Sequence, residues 1–122
     1  VYCHHGGDVN IDHRIVNMAT ITAFRPQPNS KACNIYFFEV TSSSEWNMTS
    51  SEHYVSFCPN HFVDVSEHYG LKQKALEIYE SEMREYPHAR SIEGVAARDK
   101  WRGASVGLKY AEAFMLGRSI IK

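Results

Sequence analysis

Two consecutive glycines fix what the start of this chain can become. In the run His4-His5-Gly6-Gly7-Asp8-Val9-Asn10-Ile11-Asp12-His13-Arg14 they separate an extended stretch from a helical one. Val1-Tyr2-Cys3 reads as the end of a β-strand, the Gly pair as the sharp exit from it, and Asn10 or Asp12 as the N-cap of the following helix. A strand end feeding a helix start is where open α/β sheets place their ligands. If both His4 and His5 lie in the strand they point to opposite faces, so at most one of them shares a site with His13. With Asn10 as cap, His13 falls in the first helical turn, where the positive end of the helix dipole disfavours imidazole protonation by about 0.3 to 1 kcal/mol. Neutral imidazole is the form that binds a metal, and Asp12 stands where it can orient such a ligand. A lone histidine at an element end is more often solvated or cap-bonded; the clustering singles this one out.

Downstream, Ile15, Val16, Ala19 and Ala23 recur at helical spacing over residues 12–24, until Arg25-Pro26-Gln27-Pro28-Asn29 ends the pattern in a loop. Residues 34–40, rich in aromatic and β-branched side chains, predict a strand buried on at least one face. The serine- and threonine-rich stretch 41–51 favours local side-chain to backbone bonds and predicts a loop, with Glu45 and Trp46 as side chains that either touch a ligand or cover the rim of the core. Short strands are expected at 54–57 and 62–65. Ser66 is expected to cap a helix over 67–86 whose stripe Leu71, Ala75, Ile78, Tyr79 and Met83 faces the core while Lys72, Lys74, Glu77, Glu80 and Glu82 face water. Pro87 breaks that helix, and a turn at 88–91 leads to another over 92–106 with Val95, Ala96 and Trp101 inward. Residues 110–121 are expected to close the chain as a final strand, with a last helical turn as the alternative.

At 122 residues, 43% of them hydrophobic and 12% aromatic, the chain has the material for one packed domain. Thirteen basic against fourteen acidic side chains give a net charge of -1, which supplies no electrostatic footprint for nucleic acid or anionic lipid and favours a neutral small molecule as ligand. Cys3, Cys33 and Cys58 are odd in number and form no C-x-x-C pair, so a disulfide framework and a cysteine zinc knuckle are both disfavoured and a reducing, cytoplasmic compartment is expected. No apolar run is long enough to span a bilayer. The chain opens directly on a strand, which suggests a segment upstream of Val1.

The residues Tyr2 to Arg14 resemble the second signature of the PIG-L or LmbE-like deacetylases, zinc-dependent enzymes that remove the acetyl group from N-acetylglucosamine-type sugars. Ser81-Glu82-Met83-Arg84-Glu85-Tyr86-Pro87-His88-Ala89-Arg90-Ser91 and Glu112-Ala113-Phe114-Met115-Leu116 are similar to the C-terminal region of that family. The resemblance implies an α/β fold, here a partial three-layer Rossmann-like (LmbE-like) one lacking the N-terminal βαβ units, with residues 1–122 as the C-terminal portion of a single domain. It implies His13 as a zinc ligand, Asn10 as the donor that steadies an oxyanion where the family often has histidine, and Asp12 as an orienting residue. His88 and Arg90, in the turn before the last helix, become candidate substrate contacts, against an equally weighted role in capping and surface hydrogen bonding.

The family's first signature, an Ala-His-Pro-Asp-Asp-Glu type sequence that supplies two more zinc ligands and the general base, does not occur in these 122 residues. Catalytic zinc normally needs three protein ligands and an open position, so the chain alone is expected to be catalytically incomplete and zinc is expected only alongside the absent ligands. Loss of the central strands would also leave open sheet edges and uncovered apolar helix faces. The expected consequence is a homo-oligomer, or pairing with an upstream segment. Two other readings stand beside this one: a non-catalytic oligomeric binding or assembly protein built on the half-fold, and a local metal module using His4 or His5 with Asp8 and His13.

Overall fold

The computed structural model describes residues 1–28, 33–48, 50 and 55–121. Among them it forms an α/β arrangement of three α-helices and a mixed four-stranded sheet in the order β1-β2-β4-β3. β1 (Tyr2–His4) runs parallel to β2 (Ile35–Phe38), with Tyr2 beside Tyr36 and His4 beside Phe38. β2 runs antiparallel to β4 (Ala111–Arg118), pairing Phe38 with Phe114, and the register shifts between Ile35 and Tyr36. β3 covers His61–Asp64. The chain divides into two compact units, Val1–His61 with Phe114–Lys122, and Phe62–Ala113.

In the first unit, α1 spans Ile11–Ala23 and starts where the sequence places it. Asn10 sits in extended conformation and its side-chain oxygen accepts from the Asp12 N–H at 2.9 Å, satisfying one of the orphan donors of the first turn. The prolines beyond Arg25 remove the donors a further turn would need. α1 rests on β1 through polar groups. The Asn17 amide donates to the His4 carbonyl at 2.8 Å, and the Cys3 thiol lies 3.3 Å from the Thr20 hydroxyl. Asn17 is the one buried residue of the helix, while Ile15 and Val16 are exposed, so the apolar positions that announce this helix are not the ones that seat it. On the sheet, Tyr36 stacks on Tyr2 at 5.2 Å and lies 4.7 Å from the ring of His61.

The second unit departs from the sequence pattern at three places. A 3-10 turn (Ser66–His68) precedes α2, and Ser66 does not cap it; the Ser66 hydroxyl bonds the Asp64 carboxylate at 2.5 Å instead. α2 covers Tyr69–Ile78 and stops eight residues before the expected end at Tyr86. Glu77, Glu80, Glu82 and Glu85 crowd acid at the negative end of the helix dipole. Burial does not offset them: Leu71, Ile78 and Tyr79 of the expected inward stripe are exposed, Ile78 by 83%.

Lys72, expected in water, is partly buried and pairs with Asp99 at 2.8 Å and Glu112 at 2.7 Å. α3 (Ile92–Ala104) begins at a fully buried Ser91, whose hydroxyl accepts from the Gly94 N–H at 2.9 Å. Its buried row is Ser91, Val95, Asp99 and Gly103, each four residues from the last, which leaves Trp101 on another face and 68% exposed rather than inward. Asp99 is tolerated inside because Arg98 and Lys72 both reach its carboxylate. Tyr69 stacks on Tyr110 at 3.8 Å, and burial, then the neighbouring Asp99 and Tyr110, push its hydroxyl up to about 12. The expected strand at 54–57 is not formed by Val55, Ser56 and Phe57; Tyr54 lies outside the described residues.

Candidate functional site

Beyond β1 the chain turns through Gly6 and Gly7 at close quarters. A side chain on Gly6 would meet the Asn17 amide at 2.9 Å, and one on Gly7 the Val55 carbonyl oxygen at 2.2 Å, so only glycine allows both approaches. The turn delivers Asp8, which is fully buried. Four donors converge on its carboxylate. The Asn10 N–H reaches Oδ1 at 2.9 Å, the Ser43 hydroxyl bonds the same oxygen, the Ser44 hydroxyl reaches Oδ2 at 3.1 Å, and His13 Nδ1 lies 3.0 Å from Oδ2. Burial by itself would raise the Asp8 carboxyl; the Ser43 hydroxyl, the Asn10 N–H and His13 outweigh it and hold the carboxyl below its ordinary value.

The two serines come from the loop after β2. Glu45 orders that loop by accepting from the N–H groups of Ser42, at 2.5 Å, and Ser43, at 3.3 Å, and the Val40 N–H donates to Ser44 Oγ at 2.9 Å. The Ser43 carbonyl in turn accepts from Val9 N–H at 3.2 Å, and the Asn47 amide donates to the Gly7 carbonyl at 2.6 Å. Glu45 is therefore committed to shaping the loop. Trp46 is half exposed.

His13, in the first turn of α1, is mostly shielded, with 19% of its side chain accessible. Its ring stacks on that of His4 at 4.1 Å, and His4 also lies against Phe38 at 4.7 Å. Burial, and then the positive charge His13 would carry, hold the His4 imidazole below its ordinary value against the pull of Asp8. His4 Nδ1 is buried and has no hydrogen-bond partner among the described residues. His5 turns away from this pair: its Nε2 lies 2.7 Å from the Val55 carbonyl.

With the proton on Nδ1 directed at Asp8, His13 keeps its lone pair on Nε2, the tautomer of a metal-binding histidine backed by a carboxylate. The carboxylate in that position belongs to Asp8. Asp12, the orienting residue expected from sequence, is exposed and contributes its backbone N–H to the Asn10 cap. Asn10 spends its side-chain oxygen on that cap. Ser43 and Ser44 bond the carboxylate rather than an imidazole, so the cluster is not a serine nucleophile with its base. Among the described residues no group of three His, Cys, Asp or Glu side chains converges in a way that would hold a metal ion.

His88 and Arg90 belong to the second unit. His88 Nδ1 accepts from the Arg90 N–H at 3.0 Å, and the Arg90 guanidinium pairs with Glu82 at 3.0 Å, contacts that shape the turn before α3. Sequence reasoning gave too little weight to Asp8 and passed over Ser43, Ser44 and the stacking of His4. Asp8 had a legible signal, a carboxylate directly after a glycine turn and five residues before a first-turn histidine. The serines had none, because only folding brings their loop to position 8. No protein-family model matches the chain.

Proposed function

We propose that this chain is the C-terminal segment of a zinc-dependent N-acetyl sugar deacetylase of the PIG-L or LmbE-like type, contributing one ligand to a metal site completed by residues from another segment. The observation that carries the reading is the Asp8 to His13 pair at 3.0 Å, inside a carboxylate cluster that leaves Nε2 as the coordinating atom. The α/β layering and the position of His13 just past the end of a parallel strand support it.

The donor set fits one ligand position and not a whole site, since a catalytic zinc takes three protein ligands. No hydrolytic step is therefore assigned to this chain by itself. Its own residues do preparatory work: Asp8 fixes the His13 ring and tautomer, the Ser43-Ser44 loop fixes Asp8, and Asn10 starts the helix that carries His13.

Zinc titration followed by imidazole nitrogen NMR tests the ligand role. Weak binding that shifts the Nε2 resonance of His13 and is abolished in His13→Ala is the expected result. Stoichiometric, tightly held zinc would refute the incomplete site, and a His13 resonance indifferent to zinc would refute the ligand assignment.

A further inference from the structure

The bond to Asp8 anchors the His13 ring by one edge. It holds Nδ1 at 3.0 Å, but hydrogen bonds accept a broad range of angles and the last torsion of a histidine is a shallow one, so the plane of the ring can still swing about the Cβ–Cγ bond. That plane matters, because a metal ion meets Nε2 along a lone pair lying within it. The ring of His4 supplies the second restraint. It stacks on His13 with centroids 4.1 Å apart and 20° between the planes. His4 is itself held in place: its backbone is paired with Phe38 in the sheet, its carbonyl accepts from the Asn17 amide at 2.8 Å, and its ring meets Phe38 at 4.7 Å. Asn17 lies one turn along α1 from His13, so the helix that carries one ring is tied to the strand that carries the other. His4 Nδ1 is enclosed without a partner among the described residues, so packing and not a bond through that atom fixes the His4 ring.

We infer that His4 is a positioning residue for His13: its stacked ring sets the plane of the ligand imidazole, and so the direction in which Nε2 offers its lone pair. The inference rests on the ligand role proposed above for His13. Asp8 decides which nitrogen is free, and His4 decides where that nitrogen points. The stack asks only for a flat ring at position 4, since His4 reaches His13 by its face. Phenylalanine should therefore serve in place of His4, and alanine should not.

The test uses the full chain with His4→Ala and His4→Phe, each checked for unchanged helical circular dichroism and compared at one neutral pH. Should the alanine variant fail to fold, His4→Leu, which fills the space without a flat face, takes its place. Carbon relaxation at the His13 ring, recorded without metal, reads how far the ring swings; zinc titration followed at the His13 nitrogens reads affinity. In His4→Ala the order of the ring is expected to fall and zinc affinity to drop about tenfold or more, as on loss of an outer partner of a metal-bound histidine. His4→Phe is expected to restore both. A His13 ring equally ordered in His4→Ala, or a zinc affinity that this variant leaves unchanged, would overturn the positioning role while leaving His13 a ligand. A His4 nitrogen that shifts with zinc as His13 does would overturn it too, by making His4 a second ligand. A ring that loosens in a chain whose His13 ignores zinc would refute the ligand reading, and with it the use inferred for the stack.

Discussion

Removing the Asp8 carboxylate leaves two hydroxyls, a backbone N–H and an imidazole N–H without their shared acceptor. Asp8→Ala is therefore expected to lower the urea unfolding free energy by about 3 kcal/mol, and a loss under about 1 kcal/mol would mean that His13 is held by something else. The pH dependence follows from the same cluster. Asp8 is held below its ordinary 3.8 and His4 below its ordinary 6.5 in the folded state, so in both cases the unfolded chain binds protons more readily. The stability each contributes is complete above those ordinary values and is lost as pH falls through the lower folded ones. Unfolding free energy should thus decline in two stages on acidification, His4 first and Asp8 second. His4→Phe, which keeps a ring against His13 and Phe38, should remove the first stage and leave the second; urea titrations between pH 7 and pH 3 would show a single decline, and an unchanged first stage would assign it elsewhere. At this scale the sequence was legible where chemistry is local, as in Asn10 and His13, and illegible where it is not, as in Ser43 reaching back 35 residues to Asp8.

Among the elements, α1 and α3 start at side-chain caps, and both starts are readable from the residues before them. Ser91→Ala should cost about 1 to 2 kcal/mol, toward the upper end because the cap is buried, while Asn10→Ala should cost about 1 kcal/mol and Asn10→Asp almost nothing. Thermal melts of the three variants check the order, which would fail if the exposed cap mattered more than the buried one. α2 was misjudged because periodicity speaks of amphipathicity and not of cover: its apolar stripe runs on past Ile78, but Leu71, Ile78 and Tyr79 are left exposed. Trp101 was misplaced for a related reason. Buried positions in α3 were assigned by hydrophobicity, whereas Asp99 takes one because Lys72 and Arg98 neutralise it, and the row at spacing four then excludes Trp101. Lys72→Met should consequently destabilise the chain by about 3 kcal/mol through the carboxylate it leaves behind, whereas the paired change Lys72→Met with Asp99→Leu should restore most of the loss. A double variant no better than the single one would rule out this pairing.

At the scale of the molecule, the described residues form a mixed four-stranded sheet with three α-helices, and among them no helix is long and apolar enough to cross a membrane. The α/β class was readable from the alternation of extended and helical stretches; the antiparallel β4 between β2 and β3 was not, because strand order depends on contacts that no local pattern encodes. The cluster around Asp8 presents one imidazole with its outer nitrogen available and offers no second or third ligand among the described residues. The central claim is the proposal that another segment finishes a zinc site around His13. Its most direct measurement is release of acetate from N-acetylglucosamine by the chain alone and by the chain mixed with a segment bearing a His-Pro-Asp-Asp motif. No turnover alone, and zinc-dependent turnover of the mixture that disappears with His13→Ala, is the result expected. Turnover by the chain alone, or a mixture whose activity survives His13→Ala, would contradict it.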